Sequence, residues 1–235
     1  AGANYLGSKV EPSFTAVNQP VTLKVKSVDL EGTPVAMGGI QAEVYRIKWV
    51  GTERPLGLGR YDKVWREERE LIKTENFRTS GNGDESIAFT VAEEGEYQVE
   101  VKTGSGKAVG SRTWFYAYGN GSVSVRSQDD TNLTIKTERD ELNPGQVGKV
   151  VLELPEGKAK ALVTLERGKI FSYEIVDITG NIASYEFPVT AEHYPNVHLS
   201  IVAYSPDRAV RFGHKNFTVA SRQKELKIDI SSDKK

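Results

Sequence analysis

With 235 residues, 27% of them charged, and a formal net charge of −1, the chain is balanced in charge and long enough for about two small β-sandwich domains. Nucleic acids and anionic membrane surfaces select proteins with a basic excess, so this composition argues against both as partners. The sequence contains no cysteine, which excludes disulfides, thiolate metal sites and a cysteine nucleophile within it. No run approaches the roughly 18–20 apolar residues that cross a bilayer, and we expect no membrane insertion.

The first half of the sequence has the pattern of a series of β-strands. Apolar and polar residues alternate with a period of two around residues 21–25, 43–50, 87–91 and 97–101. Because successive side chains of a strand point to opposite faces, such rows predict the inner faces of sheets that have one face in water. The polar segment 61–77 fits a helix or a strand by pattern alone, and its all-β surroundings favour a strand.

The segment EEGEYQVEV, residues 93–101, resembles a tyrosine corner. In this motif a glycine lets the chain turn, and a tyrosine two residues later buries its ring and returns its hydroxyl group to the backbone. Gly95 and Tyr97 occupy those two positions. The motif favours a Greek-key sandwich of the immunoglobulin or fibronectin type and carries no information on function.

The second half repeats the plan of the first. Residues 134–152 can be laid over residues 7–25 without a gap, and the alternating residues 197–201 take the place of residues 97–101. Short turns rich in Gly, Asn, Pro and Asp separate the predicted strands, as turn geometry requires. Two tandem antiparallel β-sandwiches of similar size fit this pattern and the length of the chain.

This repeat predicts one domain at residues 1–120 and a second at residues 121–222. The segment ELKIDI, residues 225–230, has the pattern of a strand without a partner. We therefore interpret residues 223–235 as the truncated start of a following domain. The chain opens with AGANYLGSK, which has neither an initiator methionine nor an apolar signal core, and we expect it to have been cut from something longer.

Five segments together carry a resemblance to a known family. LVTLERGKIFSYEI (162–175) and FPVTAEHYPNVHLSIV (187–202) are similar to the macroglobulin-like domain just before the bait region of the bacterial α2-macroglobulins, and KELKIDI (224–230) resembles the opening of the next domain. In the first half, EVYRIKWV (43–50) and EEGEYQVEV (93–101) are similar to the preceding macroglobulin-like domain. The resemblance covers essentially the whole chain, and its most specific parts are the ERG turn and HYPNVHLSIV.

The resemblance implies an all-β chain of two tandem immunoglobulin- or fibronectin-III-like antiparallel β-sandwiches, the macroglobulin-like domains. It implies a non-catalytic scaffold fragment of a broad-spectrum protease inhibitor. In that family a protease cuts a bait segment, the molecule rearranges, and a thioester from a Cys-x-Glu-Gln motif captures the protease. This sequence has no cysteine and no long bait loop of small and polar residues, so we expect neither bait nor thioester within it.

The partners implied by the resemblance are endopeptidases, through the full-length parent only, and neighbouring macroglobulin-like domains of the same chain. The implied location is the periplasm or the extracellular space, with a lipidated N-terminus of the parent as an anchor. The same reasoning predicts that the chain is not an enzyme and that it needs no cofactor.

The residues that could act in catalysis or metal binding also have ordinary structural interpretations. His193, His198 and His214 lack the spacing of a metal site, and no serine has a nucleophile-elbow context. Residues 129–130, followed by Asn132, could offer oxygen ligands to Ca²⁺, but a turn between domains is the favoured interpretation. We therefore predict no catalytic, cofactor-binding or metal-binding residue.

Two other hypotheses remain open. Trp49, Trp65 and Trp114 could stack on sugar rings in a carbohydrate-binding or adhesin module, although alternation assigns Trp49 and Trp114 to the core and leaves Trp65 as the best exposed ring. The strand at 61–77 could serve as an edge for β-augmentation by a partner, but charged edges usually resist such pairing. We interpret its glutamate cluster as a solvated face with cross-strand ion pairs.

Overall fold

The structure is a computed structural model that describes residues 4–57, 60–104, 108–119 and 131–220. These residues form sixteen β-strands and one short 3₁₀ helix (Ala191–His193), which confirms the predicted all-β class. The strands are β1 (Asn4–Glu11), β2 (Phe14–Ala16), β3 (Val21–Asp29), β4 (Ile40–Gly57), β5 (Arg60–Phe77), β6 (Asp84–Phe89), β7 (Gly95–Thr103), β8 (Ala108–Tyr118), β9 (Thr134–Thr137), β10 (Glu141–Leu142), β11 (Val147–Glu153), β12 (Lys158–Glu166), β13 (Ile170–Thr179), β14 (Ile182–Pro188), β15 (Asn196–Tyr204) and β16 (Val210–Val219). Within the described ranges, no helix is long and apolar enough to cross a membrane.

Strands β1–β8 form one pair of sheets, and strands β9–β16 form a second pair. The first pair has the strand orders β1-β3-β6 and β2-β8-β7-β4-β5, and the second has β9-β11-β14 and β10-β16-β15-β12-β13. Each strand of the second set has the same place as the strand eight earlier, so the repeat predicted from the sequence is confirmed. Paired strands are antiparallel except β2–β8 and β10–β16, which are parallel.

Some predictions fall on residues outside the described ranges. The domain boundaries after residues 120 and 222 lie there and stay predictions. The same holds for the calcium hypothesis at residues 129–130 and for the strand predicted at residues 225–230.

Each pair of sheets encloses its own apolar core. In the first core, the ring of Tyr97 stacks on that of Phe115 with 4.8 Å between the ring centres. In the second, Phe187 and Phe217 come from facing sheets and meet edge to face with their ring centres 5.1 Å apart. Burying one large apolar side chain stabilises a fold by about 1.5–3 kcal/mol, so these cores hold each sandwich together.

The predicted tyrosine corner is present. The hydroxyl group of Tyr97 donates a hydrogen bond to the backbone carbonyl oxygen of Glu93 at 2.7 Å. Gly95 lies between them with a φ of 153°, a conformation that residues with a Cβ rarely adopt. Burial raises the pKa of Tyr97 to about 12, so the hydroxyl group remains a donor at any physiological pH.

Strands β4 and β5 extend beyond the rest of their sheet as a two-stranded ribbon. β4 pairs with β7 only between Gln41 and Ile47, whereas its pairing with β5 continues to Gly57 and Arg60. The strand predicted at residues 61–77 is therefore confirmed, and it is an edge strand of the sheet.

The ribbon carries the ion pairs expected of a solvated face. Lys48 pairs with Glu70 at 2.6 Å, and Arg66 pairs with Glu68. These side chains are well exposed, so each pair contributes under about 1 kcal/mol to stability. The charges also oppose the addition of another strand at this edge, which weighs against β-augmentation.

The assignment of Trp114 to the core is wrong. Its side chain is 45% exposed, because its neighbour Phe115 takes the inward position in β8. Tyr116 shares the outward face with Trp114 but is buried, since another part of the molecule covers it. Trp49 is half-buried in the ribbon and belongs to neither apolar core, so its assignment to the core is wrong as well. Trp65 is also half-buried and is therefore not the most exposed of the three rings.

We predict that Tyr97→Phe lowers the free energy of unfolding of the first sandwich by about 1 kcal/mol, because it removes the hydrogen bond to the carbonyl group of Glu93. Urea unfolding followed by tryptophan fluorescence measures this change, since all three tryptophans lie in the first half of the chain. The matched control is Tyr5→Phe, whose ring is 60% exposed and which should leave the transition unchanged. Equal stability of the two variants would contradict the role of the corner.

Candidate functional site at the junction of the two sandwiches

The two sandwiches meet in a small apolar cluster that belongs to neither core. Phe14 and Tyr116 of the first sandwich pack there against Val151 and Ile182 of the second, and all four side chains are buried. The rings of Phe14 and Tyr116 meet edge to face, with 5.9 Å between their centres. Tyr118 packs against the cluster and is partly buried. The junction therefore joins β2 and β8 to β11 and β14.

The second sandwich contributes the outer face of its three-stranded sheet to the junction. Val150 and Leu152 point into the core, so Val151 between them faces outward in β11. Three successive apolar residues are typical of a strand that is covered on both faces. This run is a signal of the covered strand in the sequence, and a search for period-two alternation does not detect it.

Polar contacts accompany the apolar cluster. One carboxylate oxygen of Glu138 accepts hydrogen bonds from the backbone N–H groups of Ser13 and Phe14, at 2.7 and 3.0 Å. Nζ of Lys149 donates to the hydroxyl oxygen of Tyr118 at 3.1 Å and lies 4.9 Å from the centre of its ring. Because hydrogen bonds to charged groups are stronger than neutral ones, these contacts fix the position of β2 and β8 against the second sandwich.

A carboxyl group beside the cluster has an unusual pKa. Burial in the junction raises the pKa of Glu153 from 4.5 to about 7, while the charge of Lys136 lowers it and that of Glu96 raises it further. Burial also raises the pKa of the Tyr116 hydroxyl group, and Nζ of Lys136 lies 5.9 Å from the centre of the Tyr116 ring. Glu153 belongs to the second sandwich and Glu96 to the first, so their repulsion acts across the junction.

An open cleft of about 700 Å³ adjoins the junction and is lined by Tyr118, Leu152 and other residues of both sandwiches. Its lining includes the carboxylates of Glu174, Asp177 and Glu186. The described residues that line it include no histidine, lysine or arginine. Nucleophilic catalysis of the serine–histidine type needs a base beside the nucleophile, and this cleft does not present one.

The two most specific segments of the family resemblance are in contact. The guanidinium group of Arg167, in the ERG turn, donates to the backbone carbonyl oxygens of Glu192 and His193 at 3.1 and 3.4 Å and also to that of Tyr194. The ring of Phe171 meets the imidazole of His193 edge to face at 5.0 Å. The arginine thus holds the segment that precedes β15, and its role is structural.

The structure does not bring the three histidines together. His193 is buried, its Nδ1 accepts a hydrogen bond from the N–H group of Thr190 at 3.2 Å, and burial lowers its pKa. His198 is half-buried, with Nε2 3.4 Å from Nδ2 of Asn196, and His214 is exposed. In the part of the chain that the structure describes, no group of three or more His, Asp or Glu side chains could hold a metal ion.

Comparison with known proteins identifies the class of these sandwiches. Residues 9–119 match the family model of bacterial macroglobulin domain 6, and residues 133–235 match that of the alpha-2-macroglobulin bait region domain. Both sandwiches are thus domains of the macroglobulin type. Since the two models together cover nearly the whole chain, the chain belongs to the bacterial α2-macroglobulin family. The second match refines the expectation that the second unit lies just before the bait region, because it is to the bait region domain itself.

Several solved structures are similar to the chain. Native Escherichia coli α2-macroglobulin, determined by cryo-electron microscopy, gives a TM-score of 0.44 at 14% identity, over 94% of this chain and 15% of that one. Salmonella α2-macroglobulin reacted with methylamine gives the same values. E. coli α2-macroglobulin activated by porcine elastase gives a TM-score of 0.42 at 14% identity, over 94% of this chain and 24% of that one. This chain therefore spans a small part of these proteins. No curated protein sequence matches it significantly.

We predict that Glu138→Ala weakens the junction by about 1–3 kcal/mol, because two backbone N–H groups of the first sandwich lose a charged acceptor. Glu138 lies in the second half of the chain, whereas all tryptophans lie in the first. A shift of the urea transition followed by tryptophan fluorescence therefore shows that the effect crosses the junction. Glu141→Ala, at an exposed carboxylate of β10, is the matched control, and a transition that is the same in both variants would contradict the prediction.

We predict that the free energy of unfolding depends on pH through the ionisation of Glu153. Its folded pKa of about 7 lies above its ordinary value of 4.5, so its contribution to stability is fully present below 4.5 and is lost as the pH rises through 7. Between about pH 5 and about pH 8 the free energy of unfolding should fall by about 2 kcal/mol, and Glu153→Gln should remove most of that fall. Thermal unfolding followed by circular dichroism measures both, with Glu141→Gln as the control that keeps the fall. A pH profile that Glu153→Gln leaves unchanged would refute this assignment.

Proposed function

We propose that the chain is a non-catalytic scaffold fragment of a bacterial α2-macroglobulin-like, broad-spectrum protease inhibitor. In this proposal the parent protein traps endopeptidases, and the two sandwiches hold other parts of the trap in position. The observation that carries the proposal is the match of both halves of the chain to macroglobulin family models. The junction supports it, because a buried apolar cluster and hydrogen bonds to a carboxylate join the two sandwiches, as a scaffold needs.

Relatives within the family support endopeptidases as partners of the parent. One similar structure is E. coli α2-macroglobulin activated by porcine elastase, and another is the Salmonella protein reacted with methylamine. Methylamine is an amine nucleophile of the kind that opens a thioester. A thioester in the parent would have to come from a Cys-x-Glu-Gln motif outside this chain, since the chain contains no cysteine.

The proposal gives the chain no catalytic, cofactor-binding or metal-binding residue. Two features support this. His193 is engaged in packing under the ERG turn, and the cleft beside the junction lacks a basic partner for a nucleophile among its described residues. We also propose that no thioester lies within residues 1–235, because a thioester needs a cysteine and the chain has none. The match of residues 133–235 to a bait region domain argues against the expectation that the chain lacks the bait.

We further propose a periplasmic or extracellular location, with a lipidated N-terminus of the parent as an anchor. Family membership supports this location, because proteases that attack a cell are met outside the cytoplasm. Neighbouring macroglobulin-like domains of the same chain are then the nearest protein contacts of these two sandwiches.

The alternative, a carbohydrate-binding or adhesin module, receives one supporting observation, the exposed ring of Trp114. A sugar platform needs two or more open rings on one surface. Tyr45 lies on the same sheet face, two strands away, but the guanidinium group of Arg69 covers its ring at 4.1 Å from the centre. The scaffold proposal is therefore the stronger one.

The experiment that tests the proposal uses the full-length parent. We expect that adding a protease yields a covalent adduct, that methylamine releases a free thiol, and that prior methylamine treatment abolishes the adduct. A parent that is merely cut, with no adduct and no loss of protease activity toward large substrates, would overturn the proposal. A glycan-binding screen of the same protein would then test the alternative.

The isolated chain supplies the matched control. Residues 1–235 alone are expected to leave protease activity unchanged at equimolar concentration and to form no covalent adduct. Inhibition by the isolated chain would show that the inhibitory site lies within it and would contradict a purely structural role.

A further inference from the structure

The outer face of the five-stranded sheet in the second sandwich carries apolar side chains that point into solvent. The strand register places four of them directly opposite one another in a single row across β13, β12, β15 and β16, namely Ile175, Leu162, Val202 and Phe212. We name this row and its neighbours the outer apolar face, which comprises Leu162, Tyr173, Ile175, Val202, Tyr204, Val210 and Phe212. The exposed fraction is 64% at Ile175 and 53% at Phe212, so these are open surface residues and not parts of the core.

The sequence of this face has the pattern of a covered surface. In β12 the exposed Leu162 stands between two buried apolar residues, and in β15 the exposed Val202 does the same. A strand with one face in water alternates between apolar and polar residues, whereas a continuous apolar run is typical of a strand that is buried on both faces. The second sandwich itself covers only the inner face of these strands.

The corresponding face of the first sandwich is charged. There Glu100 is buried at the sheet surface and pairs with Arg112 at 2.9 Å and with Arg69 at 3.0 Å. On the same face Glu43 pairs with Lys102. The two sandwiches have the same strand order, so the fold does not require an apolar outer face. Contiguous exposed apolar patches with a polar rim mark interaction sites.

We propose that the outer apolar face is a docking surface for an apolar sheet face of another domain in the full-length polypeptide. The inference rests on the proposed function in one respect, because that function places this chain inside a longer protein. It adds which surface of the chain is covered and the chemistry of the surface that covers it.

The size of the face favours a tethered partner over a second copy of the chain. Four strands about 4.8 Å apart and two to three rows of side chains give a footprint of roughly 300–400 Å². A stable complex of separate proteins buries about 800 Å² on each partner, which is about twice as much. A domain in the same polypeptide has an effective concentration in the millimolar range, so a small face is sufficient to hold it.

The chemistry of the rim identifies an apolar, flat partner. Lys160 and Asp177 pair with each other at 2.7 Å, and the hydroxyl group of Ser200 donates to Glu166 at 2.7 Å. Lys160 and Asp177 therefore neutralise each other, and the carboxylate of Glu166 is hydrogen-bonded within the face. A flat surface of aliphatic side chains matches a second sheet face, as in the face-to-face packing of sandwiches. An anionic membrane would call for a basic excess, which the chain lacks.

The test measures the reactivity of single introduced cysteines toward a maleimide, because the chain has none of its own. Ile175→Cys and Phe212→Cys report on the outer apolar face, and both positions are exposed enough that the substitution leaves the core intact. Ser86→Cys, at an exposed position of β6, is the matched control. Each variant is labelled in the 235-residue chain and in the full-length protein, with the full-length protein lacking the introduced cysteine as background.

We expect both reporters to react at least about tenfold more slowly in the full-length protein than in the isolated chain, which corresponds to about 1.4 kcal/mol of docking, and the control to react equally in both. Ile175→Lys in the full-length protein should restore the labelling of Phe212→Cys. Equal rates in both proteins would overturn the inference, and so would protection in the isolated chain that grows with its concentration, since that indicates a second copy. Protection that appears only with added glycan or lipid vesicles would also overturn it.

The labelling is measured before any protease is added, so it does not depend on inhibition. If the face is protected in a full-length protein that traps no protease, the docking surface is supported and only the proposed function is refuted. Trapping with a fully reactive face would refute the docking surface alone.

Discussion

The pairing of Phe14 with Tyr116 is the contact on which the arrangement of the whole chain depends. β2 lies parallel to β8 in the five-stranded sheet, although the preceding strand β1 belongs to the opposite sheet, so the chain crosses between the sheets just before Phe14. The same two rings are the buried apolar side chains that the first sandwich contributes to the junction, and the N–H group of Phe14 donates to Glu138 of the second. One strand of three residues therefore ties together both sheets of one sandwich and both sandwiches of the chain.

The two sandwiches have the same strand order but differ in the chemistry of their outer sheet faces. Burying the carboxylate of Glu100 under the first sandwich's outer face is costly unless the charge is paired, and Arg69 and Arg112 both pair with it. That network pairs the buried charge of this face within the first sandwich itself. The second sandwich leaves Leu162 and Val202 open to water instead, an arrangement that costs solubility unless another surface covers it. The same strand order is therefore compatible with an outer face that its own ion pairs satisfy and with an outer face that needs another surface to cover it.

The repeat was found by laying one half of the sequence over the other, and the strand at residues 61–77 was favoured over a helix only by its all-β surroundings. Period-two alternation was enough to predict the all-β class, because that class follows from short-range pattern alone. The tyrosine corner was predictable for the same reason, since Gly95 and Tyr97 are close in sequence. The junction was not predicted, because alternation does not detect the apolar run around Val151, and that run indicates a covered strand without identifying the surface that covers it. Trp114 was assigned to the wrong face because alternation defines two faces of a strand but does not state which one points into the core. Tyr116 lies on the same outward face as Trp114 and is buried only because the second sandwich covers it.

The junction also shows why an apolar cluster alone does not make a scaffold. Hydrophobic burial is non-directional, so four packed side chains hold two domains together without fixing their angle. Direction comes from Glu138, whose single carboxylate oxygen accepts from two successive backbone N–H groups, a geometry that a small rotation would break. Glu153 acts in the opposite sense, because ionising a desolvated carboxyl group near Glu96 weakens the junction as the pH rises. Glu138 thus contributes to both the strength and the angle of the junction, whereas Glu153 makes the strength depend on pH.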